Sequence, residues 1–68
     1  MKTQKKLTPL GVAVKKRLIE VGKSQRQLAE ELGTSSVYLS YIFYGERSGE
    51  KYLEDILRLL DLDRNMIA

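Results

Sequence analysis

The stretch SQRQLAEELGTSSVYLSYIFYG, residues 24–45, constrains the fold more than any other part of the chain. It holds two short amphipathic segments with Gly33 between them, where one longer helix would have to continue. Ser24-Gln25-Arg26-Gln27 has the form of a capping box, in which the serine oxygen accepts a backbone N–H and the glutamine reaches back to the cap. Leu28, Ala29 and Leu32 then form an inner face. Gly33 falls just past the helix end, where a left-handed backbone is required and glycine adopts it freely. Thr34 and Ser35 cap a second helix, predicted over residues 35–44, with Leu39, Ile42 and Phe43 turned inward and Gly45 as its stop. Ser36, Val37, Ser40, Tyr41 and Tyr44 point elsewhere. Helices joined by so tight a turn cross steeply, at roughly 90–120°, and a small residue such as Ala29 suits the crossing. One helix is thereby held against the domain with its far side uncovered.

The flanking segments are helical too. Thr8-Pro9 is a good helix start, because threonine caps and proline occupies a position whose N–H has no partner anyway. Leu10, Val14, Leu18 and Val21 follow at helical spacing as a core stripe, and Gly22 ends the run. Gly11 weakens the first turn slightly. Lys15, Lys16 and Arg17 lie mostly off the stripe. Residues 45–49 read as a loop. From about Glu50, a further stripe holds Leu53, Ile56, Leu57 and Leu60, with Tyr52 beside it. Asp61-Leu62-Asp63 breaks that pattern, and Asp63 is placed to cap a last turn containing Met66 and Ile67. No segment alternates with period two. The predicted fold is all-α, with four to five helices, comprising a basic, flexible arm over 1–7 and a domain over 8–68.

With 68 residues, the chain makes one domain, and a chain this short buries only about 60% of its unfolded surface. It has no cysteine and no histidine, which removes disulfides, thiol nucleophiles and the commonest metal ligands and general bases. Glu30, Glu31, Glu54 and Asp55 sit on helix surfaces, where a solubilising role suffices. An enzyme is therefore not expected, nor a metal, cofactor or small-molecule ligand. No apolar run approaches the roughly 20 residues of a membrane span, so no membrane partner is expected and a cytoplasmic setting is the simplest. The net charge of +3 divides unevenly: residues 1–26 carry +7 and residues 27–68 carry −4. One positive end suits a polyanionic partner, although a solvated helix surface accounts for the charge equally well.

Gln25, Leu28, Ala29, Leu32, Gly33, Thr34, Leu39, Ile42 and Gly45 stand at a spacing that resembles the helix-turn-helix domain of the phage repressor and Cro type, also called the Xre family. The resemblance extends upstream through the first helix and downstream through Leu53, Ile56, Leu60 and Leu62, covering about residues 8–67. It implies a compact lambda-repressor-like fold with its helix-turn-helix at 24–45. It also implies a DNA-binding transcriptional regulator, of phage or prophage origin and acting as a repressor, that places helix 35–44 in the major groove of double-stranded DNA.

Carried onto this sequence, the base-reading positions are Ser36, Val37, Ser40 and Tyr41. Val37 has two readings, contact with a thymine methyl or partial burial against the preceding helix; Tyr41 suits the methyl or a hydroxyl contact. The implied backbone contacts are Gln25, whose amide meets a phosphate together with the free N–H groups of its helix end, and Ser24, Arg26, Ser35, Tyr38, Arg47 and Lys51. For Ser24 and Ser35 capping is sufficient alone, for Tyr38 and Tyr44 covering the core edge is the alternative, and for Arg47 and Lys51 ordinary surface charge is. No Arg, Lys, Asn or Gln lies between Ser36 and Tyr44. Bidentate pairing to guanine or adenine is therefore absent from that helix, which either shifts discrimination toward DNA shape or leaves it weak. A homodimer on a two-fold operator is expected, joined near residues 47–52 and 62–68. The competing reading is a protein-interaction module, an antirepressor or co-regulator, using the tyrosine-rich third helix.

Overall fold

The computed structural model describes residues 6–66. Helices α1 (Pro9–Val21), α2 (Gln25–Leu32), α3 (Ser36–Phe43) and α4 (Glu50–Leu59) are followed by a short 3-10 turn, Arg64–Met66, and the described residues contain no strand. The all-α expectation holds. The arm falls mostly outside the described residues, as do Ile67 and Ala68.

Three of the four helices, α1 to α3, begin where the sequence supplies a side-chain cap. The Thr8 hydroxyl accepts from the Gly11 N–H at 3.1 Å, with Pro9 opening α1. Ser24 accepts from the Gln27 N–H at 3.0 Å while its own N–H donates to Gln27 Oε1 at 2.8 Å, which completes the capping box. Of the two residues expected to cap α3, Ser35 does so, accepting from the Tyr38 N–H at 3.1 Å. Between α2 and α3, Gly33 takes φ 77°, and the Gly33 and Thr34 N–H groups fold back onto the Glu30 and Ala29 carbonyls. The left-handed residue closes α2 and turns the chain in one step.

The core is drawn from all four helices: Val14 and Leu18 from α1, Leu28 and Ala29 from α2, Leu39, Ile42 and Phe43 from α3, and Ile56 from α4, with Leu60 at its end. Phe43, Leu28, Leu39, Ile56 and Val14 are the largest fully buried side chains. Leu32 and Tyr52 pack against this cluster from its edge.

Three positions differ from the sequence reading. Val21, expected in the stripe of α1, is 52% exposed, because it is the last residue of a helix that outruns the core. Leu7, assigned to the arm, packs against the core instead. Gly11 is buried, and its significance is contact rather than flexibility: a Cβ there would lie 2.6 Å from the Phe43 carbonyl oxygen. That same oxygen accepts from the Thr8 N–H and the Thr8 hydroxyl, each at 2.9 Å. The start of α1 thus grips the end of α3.

Candidate nucleic-acid interface

With Leu39, Ile42 and Phe43 turned into the core, helical periodicity sends the opposite side of α3 outward. Val37 is 62% exposed, Tyr41 40% and Tyr44 37%. Val37 is thus mostly uncovered rather than packed against α2.

Ser36 and Ser40 are placed otherwise. Both are half-buried, with their oxygens turned toward Gln25 in the seam between α2 and α3. Gln25 Nε2 donates to the Ser36 carbonyl at 2.9 Å and the Ser40 hydroxyl at 3.1 Å, with the Ser36 hydroxyl at 3.3 Å. Gln25 Oε1 accepts from Lys15 Nζ at 3.4 Å. One carboxamide therefore ties α1, α2 and α3 together, and its N–H donors serve the protein. What the start of α2 offers outward is backbone: the N–H groups of Gln25 and Arg26 precede the first helical hydrogen bond and have no partner among the described residues. Paired N–H groups at a helix start favour an anion.

The remaining predicted contacts border this region to different degrees. Ser24 and Ser35 are exposed, with their oxygens engaged as caps. Arg26 extends into solvent, its Nε a loose 3.8 Å from Glu30. The backbone N–H groups of Glu46 and Arg47 both donate to the Tyr41 carbonyl, at 2.8 and 3.2 Å, folding the following loop onto the end of α3. Arg47 is thereby set with its guanidinium 5.8 Å from the centre of the Tyr41 ring, within the range of an attractive cation–π contact. Lys51 stands over Tyr52 in the same manner, at 5.6 Å. Tyr38 is half-buried, packed against the core and edge-on to Tyr52 with ring centres 5.9 Å apart, so it covers the core edge.

Lys15 is the group that local reading did not place here. It lies ten residues before Gln25, and only the packing of α1 beside the start of α2 brings them together. Lys23, on the neighbouring turn, is paired with Glu31 at 2.8 Å. The arrangement is an apolar and aromatic stripe with Arg47 against Tyr41 at one end, Lys15 beside Gln25 in the adjoining seam, and two free N–H groups at the start of α2. Such a surface can take a polyanion around its rim and an apolar group at its centre.

A family model described as helix-turn-helix matches residues 14–66, from the middle of α1 to the closing turn. No curated protein and no solved structure matches the chain.

Proposed function

The chain belongs to the helix-turn-helix family of the Cro/C1 type, a family of DNA-binding transcription regulators, and on that premise we propose a sequence-specific repressor of the phage Cro class that lays α3 in the major groove of double-stranded DNA. The observation that carries this reading is the outward side of α3, uncovered at Val37 and Tyr41, with Arg47 against Tyr41, Lys15 in the adjoining seam and free N–H groups at the start of α2. In this reading Lys15, Arg26, Arg47 and Lys51 meet phosphates. Gln25 acts as a positioning residue, setting α3 against α2, while the N–H groups beside it bind the backbone. A homodimer joined near residues 47–52 and 62–68 meets half-sites about one helical turn, or 34 Å, apart.

The salt dependence of binding tests this. Four phosphate contacts per protomer give a slope of about −3.6 in log K against log salt, so raising salt from 50 to 200 mM weakens each protomer's binding roughly 150-fold. A fluorescence-anisotropy titration that stays flat over that range refutes the proposal. Gln25→Ala is expected to lower affinity for all duplexes alike while the domain remains folded.

One observation favours a second reading, a protein-interaction module: the stripe of α3 is aromatic and carries no amide, and tyrosines are enriched at protein interfaces. A protein partner retained after nuclease treatment, together with flat salt dependence on DNA, selects that reading.

A further inference from the structure

We propose that the groove between α1 and the segment after α4 binds a small organic anion with an apolar body, of the acyl- or aryl-carboxylate class. The groove has a volume of about 550 Å³, within the roughly 300–1,000 Å³ of small-molecule sites. Pro9, Val12, Ala13 and Leu62 form its apolar lining, and Lys16, Arg17 and Glu20 its polar part. The residues from α1 recur at spacings of three and four, which places them on one side of that helix. Leu62 joins them only in the fold: Arg17 Nη2 donates to the Asp61 carbonyl at 3.2 Å, which draws the chain after α4 onto α1. The groove shares no residue with the α3 surface, so this inference does not rest on duplex binding.

The charges around the groove select the sign of the occupant. Glu20 is engaged by Arg17 Nη1 at 3.1 Å, so its charge is answered within α1. Lys16 is exposed and has no partner among the described residues. Arg17 Nε is buried with no acceptor, which leaves one donor of the guanidinium fork unused at the groove wall. An unanswered ammonium and an unused N–H suit a carboxylate. Val12, 52% exposed, and its apolar neighbours suit a hydrocarbon body. A second copy docking through the same face would set Lys16 and Arg17 against their own like, which favours a small anion as the occupant.

The test is an amide-resolved NMR titration of the full chain with octanoate, octan-1-ol and octylammonium. Octanoate should give saturable changes confined to the groove residues of α1 and Leu62. Octan-1-ol should bind about fivefold more weakly, the worth of one partly exposed charge pair, and octylammonium should give no saturable change. Lys16→Ala, a change at an exposed position, should weaken octanoate by the same factor and leave octan-1-ol unaffected. Ala13→Leu fills the groove and should abolish both. No saturable change by about 10 mM octanoate overturns the proposal, as does equal affinity for octanoate and octan-1-ol. Changes at the same amides on raising protein concentration alone assign the groove to a second copy. Co-sedimentation with phosphatidylglycerol vesicles that Lys16→Ala abolishes assigns it to a membrane surface. Either of these also overturns the proposal, and none of the outcomes touches the salt dependence by which duplex binding is judged.

Discussion

Replacing Gly11 with alanine separates local propensity from tertiary contact, because the two predict opposite signs. Considered as a helical position alone, Gly11→Ala should stabilise the domain by up to about 1 kcal/mol, the difference between the two residues in a helix. The surroundings reverse this. The new Cβ would stand 2.6 Å from the Phe43 carbonyl oxygen and 3.0 Å from Phe43 Cβ and Leu7 Cδ2. Two of those atoms belong to Phe43, a fully buried residue, and no rotamer change can move a backbone oxygen. Relief requires α1 and α3 to separate by some tenths of an ångström. That costs about 1–3 kcal/mol as overpacking and weakens the two Thr8 hydrogen bonds to the same oxygen, worth roughly 1 kcal/mol each when intact. The net expectation is a loss of about 2 kcal/mol. For a domain of this size that corresponds to a fall in Tm of roughly 8–16 °C, read by circular dichroism at 222 nm. A Tm equal to or above that of the parent protein would refute the claim that contact outweighs propensity here.

Further outcomes follow from the same geometry. Gly33→Ala should cost only about 1 kcal/mol, since its φ of 77° is strained for alanine but no atom lies within 4 Å of the added Cβ. Gly49→Ala combines a φ of 68° with a Cβ 2.6 Å from buried Ile42, and should cost roughly 2–3 kcal/mol; urea midpoints should fall in that order. Ser24→Ala removes the oxygen that caps α2 and should cost about 1 kcal/mol, with hydrogen exchange accelerated first in the opening turn of α2.

The helix boundaries were legible because they depend on neighbours in the chain. Threonine before proline, the Ser24–Gln27 box and a glycine after Leu32 each satisfy or release backbone groups within four residues, so type and spacing suffice. The inward faces of α2 and α3 were legible for a related reason: helical periodicity permits one apolar side, and Leu28, Ala29, Leu39, Ile42 and Phe43 occupy it. Val21 marks the limit, since periodicity assigns a face without stating how far the covering elements reach.

The candidate interface was legible in outline and changed in detail. Position along α3 alone treats Ser36, Val37, Ser40 and Tyr41 as equivalent readers. The packing of α2 on α3 distinguishes them, because Gln25 reaches the two serines and leaves valine and tyrosine outward. Gln25 itself changes from a side chain aimed at a partner to one that links three helices.

By itself the amino-acid order determined that four helices form, where three of them begin, and that the chain must turn sharply at Gly33, since caps, glycine conformations and apolar spacing act over a few residues. Only tertiary structure decided that Gly11 serves the Phe43 carbonyl, that Lys15 joins the start of α2, and which side chains of α3 meet solvent. Those outcomes depend on atoms brought within a few ångströms from distant parts of the chain, and their contact energies outweigh the local preferences of about 1 kcal/mol per residue that sequence patterns express.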